Sequence, residues 1–169
     1  SFFLTRPSDP HTAPASGAAQ RAHRGAAAMA GERRHGRRHT APAGVDAVFP
    51  LVADAYQEIG ISIETLDTTR RIIGNPRFRA RQRLAGMPME TVVRCGDGPT
   101  GPHARSFLIT FDIHTQVMPS GAGKSMMRTM VSATGRSIEG ATTHEITCAS
   151  TGALEQRILE IVSRRLGGA

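Results

Sequence analysis

Two alternating segments joined by a turn constrain this fold more than any other feature of the chain. In Ser106–Val117, the residues Phe107, Ile109, Phe111, Ile113, Thr115 and Val117 fall on one side of an extended chain. In the segment beyond the turn, Met127, Thr129, Val131 and Ala133 do the same. Period-two alternation is the pattern of a strand with one face buried. The residues between, PSGAGK, supply the Pro, Ser and Gly of a hairpin turn. The same stretch, GAGKS, matches the end of a phosphate-binding loop, G-x-x-x-x-G-K-[ST]. However, Met118 stands where the first glycine belongs, and the following residues have a strand period, not a helical one. We therefore read PSGAGK, Pro119–Lys124, as a turn.

Other elements follow from the same patterning. Val45, Val48, Phe49, Val52, Tyr56 and Ile59 recur at helical spacing, with Asp46 as the expected N-cap, Pro50 in the first turn and Gly60 as the stop. Ile61–Leu66 and Thr69–Ile73 are expected as paired strands around a turn at Asp67, Phe78–Leu84 as a third strand, and Met89–Cys95 as a short one. Cys95–His103 is expected as a loop and Thr143–Cys148 as the last strand. Ser150 is the expected cap of a closing helix with Leu154, Ile158, Ile161 and Val162 on one stripe. The order predicts an α+β fold. A meandering antiparallel sheet carries an N-terminal and a C-terminal helix on one face, in a domain spanning 45–169.

Residues 1–44 differ in kind. They are rich in Ala, Pro, Gly, Arg and His, and hold too little apolar surface to offset the entropy of ordering. The expectation is an extended arm that becomes ordered only against a partner. Seven arginines against Asp9 and Glu32 give the arm a net charge of +5, which leaves +2 for the domain out of a total of +7. Every basic residue except Lys124 is an arginine, a side chain suited to bidentate pairing with carboxylates and phosphates. No apolar run is long enough to cross a membrane as a helix. The opening Ser-Phe-Phe-Leu reads either as the residue of a processed leader or anchor, or as a short apolar plug.

Chemistry-bearing residues are few. The two cysteines, Cys95 and Cys148, border ordered elements, and a disulfide between them would place the protein in an oxidising compartment. The alternative is two unrelated buried thiols. His35 and His39 have ligand spacing but lie among four arginines, which disfavours a divalent cation. No carboxylate pair or nucleophile elbow stands out. The expectation is a non-catalytic protein with no cofactor and no metal.

Two basic features remain. Arg77, Arg79, Arg81 and Arg83 form a row along one predicted strand face, with a spacing of about 7 Å. Arg33, Arg34, Arg37 and Arg38 cluster in the arm. Together with Phe2 and Phe3 these are the expected partner contacts. The competing reading of the row is a solvated face that discourages aggregation. Met118, Met126, Met127 and Met130 bracket the hairpin as core filler or as an interface. A nucleic-acid- or ribosome-associated protein is the alternative function, although one Tyr and no Trp offer little stacking surface.

The segments VFPLVADAYQEIGI (Val48–Ile61) and CASTGALEQRILEIV (Cys148–Val162) resemble parts of an uncharacterised secreted α+β domain of the bacterial phylum Gemmatimonadota. The resemblance implies a periplasmic domain, peripheral to the membrane. A phototroph of that phylum has a reaction-centre and light-harvesting complex with extra protein subunits, one of them periplasmic. The resemblance therefore points to a structural accessory subunit whose partners are the protein subunits of such a membrane complex, with no direct nucleic-acid contact. It carries over no functional residue.

Overall fold

The computed structural model describes residues 36–138 and 144–168. It has the expected α+β architecture: one antiparallel sheet with the N- and C-terminal helices on the same face. The strands are β1 (Arg37–Ala41), β2 (Thr65–Asp67), β3 (Ile72–Arg81), β4 (Arg83–Leu84), β5 (Met87–Pro88), β6 (Val93–Arg94), β7 (Asp97–Gly98), β8 (Gly101–Pro102), β9 (Leu108–Pro119), β10 (Ser125–Arg136) and β11 (Glu145–Ser150). The helices are α1 (Val45–Glu58), the single turn α2 (Met89–Val92) and α3 (Ala153–Gly167). The main sheet runs β2-β3-β9-β10-β11-β6. β1 pairs with the first half of β10 and β11 with its second half.

The hairpin that dominates the sequence dominates the fold. β9 and β10 pair along their whole length, from Ser125 opposite Pro119 to Arg136 opposite Leu108. The turn closes through a bond from the Ser120 N–H to the Lys124 carbonyl at 3.0 Å, with Gly121 and Gly123 at positive φ. GAGK is thus the apex of a hairpin between antiparallel strands. Alternation then sorts the side chains. Ile109, Phe111, Ile113, Thr115 and Val117 are buried inward, as are Met127, Thr129, Val131 and Ala133. Against them pack Val48, Phe49, Val52, Ala55 and Tyr56 of α1, and Leu154, Ile158, Ile161 and Val162 of α3.

The helix boundaries depart from expectation in detail. Gly44, not Asp46, is the N-cap of α1, and its carbonyl accepts from the Ala47 and Val48 N–H groups. Asp46 instead pairs with Arg71 at 2.8 Å, and Arg71 in turn lies over the Phe49 ring. α1 stops as predicted. Gly60 adopts φ +78°, its N–H reaches the Gln57 carbonyl, and the Ile61 N–H reaches Tyr56, which closes the C-terminal turn. α3 has Gly152 as N-cap, not Ser150. Ser150 Oγ and Thr151 Oγ1 still serve this end by accepting from the Gly152 and Ala153 N–H groups.

Several strand expectations are corrected. Ile61–Glu64 is not strand, and only Thr65–Asp67 pairs with β3. β3 starts at Ile72 and continues through Gly74-Asn75-Pro76 by means of a bulge between Asn75 and Phe78. The buried Asn75 amide anchors that bulge, donating to the Ser62 carbonyl and hydroxyl and accepting from the Arg77 N–H. The bulge also gives Pro76, which has no N–H to lend to a ladder, a place inside a strand. Phe78–Leu84 is not one strand, because Gln82 has φ +65° and the chain turns into the separate β4–β5 hairpin. Met89–Cys95 is mostly the α2 turn, since Met89, Val92 and Val93 are all needed in the core. Cys95–His103 holds the small β7–β8 hairpin within the expected loop.

β1 is the element the sequence does not announce. RRHTA has no apolar alternation, yet it forms an edge strand in register with Ser125–Thr129. The tail of the segment read as arm is thus part of the sheet.

Candidate interaction surface

Helices cover one face of the sheet. The outward residues of β9 and β10 are half-buried or exposed, whereas their inward neighbours are buried. The ladders turn this outward face into rows that run across the strands. One row reads Arg79, Thr110, Thr134, Thr147, and the next reads Arg81, Leu108, Arg136, Glu145. Nearer the β9–β10 turn, Arg38 of β1 stands opposite Arg128, and Met118 opposite Met126. The described outward strand positions thus carry Arg38, Arg79, Arg81, Arg94, Arg128 and Arg136 against Asp67, Asp112 and Glu145, a formal excess of three positive charges.

Cys95 and Cys148 form a disulfide, with Cα atoms 4.2 Å apart across a sequence separation of 53. Both are buried, and the bond ties the chain just beyond β6 to β11. Among the arginine row, Arg79 and Arg81 point outward from β3, and Arg77 is exposed at the bulge. Arg83 leaves the row: the Gln82 turn carries it into β4, where its guanidinium donates to the Gly86 carbonyl. Arg37 and Arg38 take opposite faces of β1. Arg38 faces outward, while the Arg37 guanidinium lies against Gly152 at the start of α3. Arg33, Arg34, Phe2 and Phe3, with His35 and Thr143, lie outside the described residues.

The methionines divide between the two readings. Met127 is buried in the core, while Met118, Met126 and Met130 are half-buried on the outward face. Asp112 and His114 sit 3.4 Å apart on that face. The sequence reading missed Arg136, which lies at the end of β10 past the last strongly alternating residue. Only the register with Leu108 brings it beside the β3 arginines.

A polar depression of about 200 Å³ lies on this face, lined by Arg79, Leu108, Thr110, Thr134, Arg136 and Glu145. The Thr134 hydroxyl donates to Glu145 Oε1 at 2.6 Å. A second hollow, of about 210 Å³, is apolar and lies near β1, with His39, Ala41, Met127, Leu159 and Val162 in its wall.

Elsewhere the charged groups serve the fold. Arg164 and Arg165 of α3 bridge to Glu58 of α1, and Arg165 also reaches Asp54. The hydrogen bond from Arg164, aided by Arg165, holds the exposed Glu58 carboxyl below the ordinary range. Among the described residues no three His, Cys, Asp or Glu side chains come together as a metal site, and no helix is long and apolar enough to cross a membrane. No protein-family model, curated protein or solved structure matches the chain.

Proposed function

We propose that this chain is a non-catalytic accessory domain of the periplasm that docks on a larger membrane-bound assembly through the outward face of its sheet. The observation that carries the reading is the one-sidedness of the sheet. Two helices bury one face, and the other presents arginines, threonines and methionines without a described element over it. Arginine and methionine are enriched where proteins meet, because the first pairs bidentately and the second adapts its shape. The Cys95–Cys148 bond supports an oxidising compartment, since cytosolic thiols are kept reduced. The resemblance of Val48–Ile61 and Cys148–Val162 to a secreted Gemmatimonadota domain favours a photosynthetic reaction-centre and light-harvesting complex as the assembly.

Native membranes test this. After a high-salt wash the chain stays bound and co-purifies with the subunits of that complex. Parallel gels with and without reductant show the disulfide in the same material. Release by salt or nuclease, with nucleic acid in the released fraction, would establish the nucleic-acid reading in its place, because phosphate contacts weaken steeply with salt.

A further inference from the structure

We propose that Arg79 and Arg136 form a carboxylate-receiving site on the outward sheet face, taking up an acidic segment of a partner protein. This rests on the docking reading above and names its chemistry.

Neither the Arg79 nor the Arg136 guanidinium makes a hydrogen bond or ion pair among the described residues. Carboxylates are nearby, but none is paired with either guanidinium. Glu145 stands directly opposite Arg136 in the ladder, yet its carboxylate takes the Thr134 hydroxyl at 2.6 Å. Asp112 is turned to His114. Both side chains line the polar depression. Their backbone positions are two strand spacings apart, about 10 Å, and one row out of step. Thr110 lies between them as a neutral hydroxyl.

That spacing suits two carboxylates of one peptide segment, each received by one planar fork. A uniform polyanion fits less well, because Glu145 and Asp112 interrupt the positive field. The outward positions of β3, β9 and β10 also offer no Phe, Tyr or Trp on which a base would stack. A protein segment of mixed charge meets both signs, with a basic side chain available to Glu145.

The experiment uses the full chain with its disulfide intact and a synthetic Glu-rich peptide as probe. Wild-type protein binds the peptide, with amide shifts centred on Arg79, Thr110, Thr134 and Arg136. R79Q and R136Q each weaken binding about tenfold, the size of a lost hydrogen bond to a charged group, and R77Q leaves it within twofold. An unchanged melting temperature in both variants shows that the fold is kept. No binding by wild type, or equal binding by R79Q/R136Q, overturns the site. So does tighter binding of oligothymidylate or of phosphatidylglycerol vesicles than of peptide. Membrane retention separates the two levels: a retained R79Q/R136Q variant sinks this site alone, whereas loss of wild-type retention sinks the docking reading itself.

Discussion

The Tyr56 hydroxyl lies 3.1 Å from Thr115 Oγ1, and Thr115 is in turn 2.9 Å from Thr129 Oγ1. All three groups are buried, so this chain of hydroxyls fixes α1 over the β9–β10 pair at one register. Burial also pushes the Tyr56 phenol far above its ordinary pKa, so the ring stays neutral and bonded across the accessible pH range.

Thr115 is the middle of that chain, and its removal leaves two buried hydroxyls without a partner. Tyr56→Phe leaves the two threonines bonded to each other. Thr115→Val should therefore cost about 2–3 kcal/mol and Tyr56→Phe about 1 kcal/mol, read by urea denaturation. Equal costs would show that the three hydroxyls do not act as a chain.

The disulfide closes a large loop around the middle of the fold. The Cys95→Ser/Cys148→Ser variant should lose about 4 kcal/mol of stability by the loop-entropy relation. Reductant should shift the wild-type unfolding midpoint in the same direction and leave the variant unmoved. Alkylation of native material denatured without reductant should label neither cysteine, and two free thiols would remove the support for an oxidising compartment.

Glu58 gives a pH signature. Its folded pKa lies below the ordinary value, so its contribution to stability is present above about pH 4.5 and is lost as the pH falls through the lower, folded value. Wild type should exceed Glu58→Gln in melting temperature at pH 7, and the gap should close in acid and shrink with salt. The carboxylate is exposed, so the gap is small. A gap that persists once the carboxylate is fully protonated would point to packing instead of charge.

Gly152 has φ +85°, and a Cβ there would stand 2.7 Å from Arg37 Nε. Gly152→Ala should destabilise the fold by at least about 1 kcal/mol through the backbone alone. Arg37→Ala should recover only the steric part. Full recovery in the double variant would mean that the left-handed backbone carries no cost.

Much of this architecture is legible from residue patterns, because burial acts on one side chain at a time. The alternation of Phe107–Val117 and the stripe Leu154–Val162 each specify which side faces the core. The arginine row was half legible. Arg79 and Arg81 keep their face, but Arg83 does not, because nothing in FRARQRL marks Gln82 as left-handed. Met89–Cys95 reads as a strand but is mostly the α2 turn, because so short a segment has too few residues to set a period.

The sequence alone determined the hairpin, the two covering helices, the basic character of the chain and, with two cysteines in all, the one disulfide it could form within itself. Each follows from local spacing or from having no other partner. Tertiary structure alone decided that RRHTA is an edge strand, that Pro76 sits in a bulge and that Arg136 stands beside Arg79. These depend on the register between strands distant in sequence, and register is a property of the assembled sheet that no single segment encodes.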